Sequence, residues 1–166
     1  MKILIAYYSK TGNTERVAKD LASQLGADLE KVIDRKNRKG ILGYIFGGRD
    51  GMQKRETEID NPSKNVTDYD LIIIGTPIWG WNMAPAIRTY LKKVRKELRK
   101  VAFFITSGST DPEKIVSFVE EIIDRETIAY TGFSAKDLIN KEVYDRKIFD
   151  FVKAKEDRGK LRPGKR

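Results

Sequence analysis

Apolar and polar positions along the chain follow two alternating rhythms. Residues 2–8 (KILIAYY) form an almost unbroken β-rich apolar run, the pattern of a central parallel strand covered on both faces. In residues 13–25, Val17, Ala18, Leu21, Ala22 and Leu25 recur at helical spacing, and Gly26 stands where such a helix would stop. Further strands are expected at 28–33, 70–75 (DLIIIG), 101–106 and 127–133. Helices are expected at 84–98, with Pro85 in the first turn and Ile87, Tyr90, Leu91, Val94 and Leu98 on one face, and at 142–152. Between the last two strands, Asp111-Pro112 reads as cap and first position of a helix that buries Ile115, Phe118, Val119 and Ile122. Residues 34–65 are long and polar, with an amphipathic turn or two around Ile41, Leu42, Tyr44, Ile45 and Phe46, where Gly40, Gly43, Gly47, Gly48 and Gly51 weaken a helix.

Strands separated by helical patterns predict an α/β fold. Its form should be a three-layer, open, doubly wound sheet of five parallel strands joined by right-handed crossovers. Residues 1–152 read as one domain, and 153–166 as a basic, flexible tail. In such sheets ligands bind beyond the carboxyl ends of the strands, where the strand order reverses. That rule directs attention to the segments after the first, third and fourth strands.

Composition narrows the chemistry. At 166 residues, 40% hydrophobic and 34% charged, the chain reads as soluble and globular, and no apolar run is long enough to span a bilayer. Met1-Lys2 leads directly into the first strand without a cleavable leader, so the cytoplasm is the expected location. There is no Cys and no His. Disulfides, thiolate nucleophiles, Cys/His metal sites and His-based triads are excluded, and redox chemistry would have to come from a bound cofactor. The near absence of glutamine (Gln24 and Gln53 only) beside many Lys, Arg and Glu hints at a heat-adapted source.

The net charge of +9 is unevenly placed: a cluster at Arg35, Lys36, Arg38 and Lys39, another along 92–100, and the tail. Such a field attracts anionic partners, but the tail carries no aromatic residue after Phe151 to interleave with its charges. A solvated helix face with a frayed terminus is the better reading, and nucleic acid is not an expected partner.

Three segments carry candidate chemistry. Ser9-Lys10-Thr11-Gly12-Asn13-Thr14 runs from a strand end into a helix start, where backbone N–H groups, hydroxyls and the helix dipole can collect a phosphate. It is neither a Walker loop nor G-x-G-x-x-G, and an ordinary capped turn would use the same residue types. In Gly75-Thr76-Pro77-Ile78-Trp79-Gly80-Trp81-Asn82-Met83, a loop tryptophan ahead of a helix that has its own apolar stripe suits stacking on a flat ring. Packing of Trp79 or Trp81 against the 44–46 segment is the alternative. Thr106-Ser107-Gly108-Ser109-Thr110-Asp111 is a small polar loop whose N–H groups could bond a ligand's carbonyl edge, or again a capped turn.

These segments together resemble the flavodoxin family. S-x-T-G-N-T after an apolar first strand is similar to the family's FMN-phosphate loop. Gly75-Thr76-Pro77-Ile78-Trp79 is similar to its G-T-P-x-W loop, in which Trp covers one flavin face. Trp79-Gly80-Trp81 resembles its W-G-x element, whose peptide can turn a carbonyl toward flavin N5 when the flavin is half-reduced. The resemblance implies strand order 2-1-3-4-5 and FMN as cofactor. The implied contacts are Ser9, Lys10, Thr11, Gly12, Asn13 and Thr14, then Pro77, Ile78, Trp79, Gly80, Trp81 and Asn82, and finally Thr106, Ser107, Gly108 and Ser109. No metal ligand or catalytic side chain is implied. No insertion splits the fifth strand, so the likeness is to short-chain members.

Two departures bear on the role. Many flavodoxins stack an aromatic from the third loop on the second flavin face, and residues 106–111 contain none, so Trp81 or Tyr44 would substitute or that face stays open to a substrate. Carrier flavodoxins are usually acidic, whereas this chain has a sequence pI of about 9.6. An FMN-dependent electron carrier, serving a partner protein or a small-molecule acceptor, is the first expectation, with a less negative potential for the second electron than acidic carriers have. A small NAD(P)H:quinone-type reductase is the alternative, with Arg49, Arg55 or Arg88 binding nucleotide phosphates. A flavin-free binding module with a basic surface is the third. A receiver-type domain fits badly, because Tyr7-Tyr8-Ser9 stands where an acidic pair would be needed. Oligomeric state is left open.

Overall fold

The computed structural model describes residues 1–35, 56–109 and 111–154, and the element numbering counts those residues. The strands are β1 (Ile3–Tyr7), β2 (Asp28–Lys31), β3 (Leu71–Trp79), β4 (Asn82–Met83), β5 (Lys100–Ser107) and β6 (Ala129–Ser134). The helices are α1 (Asn13–Leu25), α2 (Pro85–Val94), α3 (Glu113–Ile123), α4 (Ala135–Ile139) and α5 (Lys141–Ala154). The order β2-β1-β3-β5-β6 is parallel throughout, and β4 pairs antiparallel with the end of β3. With that two-residue strand set aside, this is the expected order 2-1-3-4-5.

Both faces of the sheet are covered, which explains why its strands are apolar at successive positions. Ile3, Ile5, Tyr7, Leu71, Ile73 and Phe104 face a layer made by Val17, Ala18 and Leu21 of α1 and Ile148 and Phe151 of α5. Leu4, Ala6, Ile72, Ile74, Phe103 and Ile105 face Ile87, Tyr90 and Leu91 of α2 and Ile115 and Val119 of α3. Each such fully buried Leu or Ile contributes about 1.5–3 kcal/mol of transfer free energy.

The helix ends follow local chemistry. The carboxyl end of α1 is closed by Gly26 at φ 59°, whose N–H bonds the Ala22 carbonyl. The Asp111 carboxylate accepts the Glu113 N–H just before α3, but Pro112, at φ −60°, takes the cap position, so the helix begins one residue later than Asp111 as cap and Pro112 as first position would have it. Phe118 is only half-buried on that helix, and Ile123 takes the buried position instead. The short α4 was not anticipated; a capping box between Ser134 and Asp137 starts it. The final helix runs on to Ala154, which is itself buried.

The outer edge of β2 is covered by returning chain. Asp34 and Ile59 form an antiparallel bridge, and buried Glu30 accepts hydrogen bonds from the Ser63 and Lys64 N–H groups and the Ser63 hydroxyl. The amphipathic turns expected around residues 41–46 lie outside the described residues. Among the described residues, no helix is long and apolar enough to cross a membrane.

Candidate functional site

The carboxyl ends of β1, β3 and β5 bring the three candidate segments to one end of the sheet. After β1 the chain turns at Gly12, whose φ of 95° is open to glycine and costly to other residues. The Ser9 hydroxyl accepts the Gly12 N–H at 3.1 Å and so closes the turn. The Arg16 N–H bonds the Gly12 carbonyl, which begins α1. No side chain caps the amino end of α1, and Thr11, Gly12 and Asn13 are exposed there. First-turn N–H groups of a thirteen-residue helix are therefore presented to solvent with the positive end of its dipole.

Glu15 sits in that first turn, paired with Lys19 at 2.8 Å and Lys31 at 2.7 Å. Hydrogen bonds from Lys19 and then Lys31 hold its carboxyl at a pKa of about 2, well below the ordinary carboxylate range. The charge that would most repel an anion at this helix end is thus already compensated.

The second segment departs from the expected loop. Rather than ending near Gly75, β3 continues through Trp79 and turns back in a two-residue hairpin, with Trp79 opposite Asn82 and Ile78 opposite Met83. Gly80 and Trp81, at φ 53° and 58°, both occupy the left-handed region, as the central pair of a type I′ turn must. A tryptophan is an unusual occupant there, and its indole is 74% exposed. Trp79, by contrast, is half-buried. It meets the Tyr8 ring edge-on, 5.5 Å between centroids at 88°, and lies under the Lys10 ammonium, 5.7 Å away. The alternative contact with residues 44–46 falls outside the described residues.

The hairpin base is anchored from below. Asn82 Oδ1 accepts the Met83 N–H at 2.9 Å and an Arg88 guanidinium N–H at 2.8 Å, all within buried surroundings. Thr76, fully buried, accepts the Ala84 N–H at 3.1 Å just before α2. Burial pulls the Arg88 pKa below its ordinary value, partly offset by Glu121 and Glu56. With Arg88 only 6% exposed beneath the hairpin, it is not available to grip a nucleotide phosphate, which corrects that expectation. Arg49 and Arg55 lie outside the described residues.

The third segment starts at Thr106, the penultimate residue of β5. Its hydroxyl lies 2.8 Å from that of Thr14, both buried, so a side-chain bond ties the start of α1 to the third loop across 92 residues. The Thr14 hydroxyl is thus buried against Thr106. Ser107 is half-buried, and Gly108 and Ser109 are exposed. This loop supplies no aromatic residue.

Sequence reasoning missed the hairpin, the Tyr8–Trp79 contact, the hydroxyl pair and the Asn82–Arg88 bond. Only the hairpin left a local signal, a Gly-containing pair between β-forming residues; the others join positions far apart in the chain. Among the described residues no group of His, Cys, Asp and Glu could hold a metal ion.

Residues 1–118 match the family described as NADPH-dependent FMN reductase. Among solved structures, the chain is 26% identical to a flavoprotein from Lactobacillus acidophilus NCFM determined in complex with FMN, covering 88% of this chain and 97% of that one at a TM-score of 0.66. The apo-form of the flavoprotein from Lactobacillus acidophilus NCFM is 29% identical over 81% of this chain and 93% of that one, TM-score 0.59. Oxidised flavodoxin 2 from Bacillus cereus shares the fold at 21% identity, covering 93% of this chain and 97% of that one, TM-score 0.56.

Proposed function

Because this chain belongs to the NADPH-dependent FMN reductase family, we propose that it is an FMN-dependent reductase, taking reducing equivalents from NADPH and delivering them to a small acceptor. It is a flavodoxin-like, FMN-binding flavoprotein. The observation that carries the finer reading is the unequal provision for the two ring faces. Trp79 is held in place by Tyr8 and Lys10 for one face, while Thr106, Ser107, Gly108 and Ser109 bring no aromatic to the other. Among the described residues, this loop thus leaves the second face without a stacking aromatic, room that a nicotinamide would use.

The residues present fit FMN. The uncapped amino end of α1, with Ser9, Thr11, Gly12 and Asn13 around it, supplies N–H groups, a hydroxyl and the positive end of the helix dipole for a phosphate dianion. The Thr14–Thr106 bond would hold that loop against the third, where Ser107, Gly108 and Ser109 follow at the carboxyl end of β5. Pro77, Ile78, Trp79, Gly80, Trp81 and Asn82 would line the ring from the hairpin. When bound, FMN supplies the capacity to accept a hydride and release electrons. The protein's part would be to orient it and to exclude water on the Trp79 side. A cytoplasmic location goes with this reading, since reduced nicotinamide nucleotides are found there.

A second reading, an electron carrier for a protein partner, is favoured by the exposed Trp81 at the hairpin tip. Anaerobic addition of NADPH to FMN-loaded protein decides between them. Prompt bleaching of the flavin absorbance is expected; a bound flavin that NADPH leaves oxidised, but dithionite reduces, would support the carrier. Trp79→Ala should weaken FMN binding and alter the bound flavin's visible spectrum. Unchanged affinity and spectrum would remove Trp79 from the ring-covering role.

A further inference from the structure

Lys10 belongs to the turn between β1 and α1, yet its ammonium reaches the indole of Trp79 on β3, 5.7 Å from the ring centroid. A second contact on that indole is the Tyr8 ring at 5.5 Å and 88°. Tyr8, Lys10 and Trp79 therefore form one cluster where the ends of β1 and β3 meet. Two positive influences converge there: the Lys10 charge and the uncapped amino end of α1. The carboxylate in the first turn, Glu15, is already engaged by Lys19 and Lys31. A lysine gripping only a phosphate would have no reason to lie against the aromatic residue assigned to the ring.

We propose that Lys10 sets the balance between oxidised and reduced flavin through its charge at the Trp79 end of the site, rather than serving as a phosphate grip. The inference rests on the FMN reading above. Two-electron reduction by NADPH transfers a hydride to FMN, yielding NADP⁺ and a flavin with one more negative charge. A fixed cation near the ring favours that product over the neutral oxidised ring. Lys10 is a tuning residue acting on an equilibrium, and its effect should appear without turnover.

The test measures affinity for oxidised FMN and for riboflavin, and the two-electron midpoint potential of each bound flavin, in the wild type, Lys10→Met and Lys10→Arg. Circular dichroism checks that each variant is folded. Lys10→Met should bind both oxidised flavins within about twofold of wild type, while affinity for reduced relative to oxidised flavin falls by roughly tenfold for both. Lys10→Arg should restore the balance, and added salt should shrink the difference. Two results would overturn the proposal. In one, Lys10→Met weakens FMN but not riboflavin and leaves the potential unchanged, which makes Lys10 a phosphate ligand. In the other, Lys10→Arg behaves like Lys10→Met, so that charge is not the cause. Wild-type protein that binds neither flavin would sink the functional reading itself, an outcome distinct from both.

Discussion

Asn82 and Arg88 provide the sharpest test of how the hairpin is held. Asn82 is 4% and Arg88 6% exposed, and one oxygen, Asn82 Oδ1, serves both the guanidinium and the Met83 N–H. Asn82→Ala removes that acceptor and leaves two buried donors, one of them charged. A hydrogen bond to a charged group is worth about 1.5–3 kcal/mol and a neutral one about 0.5–1.5, so a loss of roughly 2–4 kcal/mol is expected. In an Arg88→Met background the charged donor is already gone, and Asn82→Ala should then cost only about 0.5–1.5 kcal/mol. The double-mutant cycle should therefore show a coupling of about 1–3 kcal/mol. Urea unfolding of the FMN-free proteins, followed by tryptophan fluorescence with midpoint and slope fitted together, supplies the four free energies. A coupling within about 0.5 kcal/mol of zero would refute the reasoning, because it would mean the guanidinium does not depend on this oxygen. Since the hairpin carries Trp79 and Trp81, Asn82→Ala should also weaken FMN binding.

Other expectations are independent of that bond. A Cβ on Gly75 would meet Phe104 Cε1 at 2.8 Å and Tyr7 Cβ at 2.9 Å, so Gly75→Ala should destabilise by ~1–3 kcal/mol; an unchanged thermal midpoint would contradict the close strand approach. Trp81→Gly relieves a left-handed backbone that costs a non-glycine residue ~1–2 kcal/mol and should raise the stability of the FMN-free protein, whereas a loss would show that the indole makes stabilising contacts. Glu15, its pKa lowered to about 2, contributes stability that is present above the unfolded carboxylate pKa and lost as pH falls toward 2. The thermal midpoints of wild type and Glu15→Gln should accordingly converge between pH 4.5 and 2; a constant gap would rule out this ionisation as the source.

Much of the fold was legible because it rests on local rules. The helix of residues 13–25 was readable from its apolar spacing and the glycine at its end, and the strands from runs of β-rich apolar residues too continuous for a one-sided sheet. Element ends were less so. The third strand reads as stopping at Gly75, where a Gly-Thr-Pro run signals a break, but pairing with β5 carries it through Pro77. Proline, which has no N–H to donate, is tolerated at that point because pairing with β1 ends at Gly75, so no ladder bond on that side is lost.

The sequence by itself determined the class of fold, the exclusion of Cys- and His-based chemistry, and the three segments that meet at one end of the sheet. These follow from periodicity, composition and the geometry of parallel strands, each of which acts over a few residues or over the whole chain. Tertiary structure alone decided the partnerships inside the site: Tyr8 and Lys10 with Trp79, Thr14 with Thr106, Arg88 turned inward to Asn82 rather than outward to a nucleotide. An arginine reads as a surface cation until packing shows a buried amide waiting for it, and two threonines 92 positions apart carry no local mark of their contact. Side-chain direction at the end of a strand is set by what packs above and below it, and that information is distributed over the whole sheet.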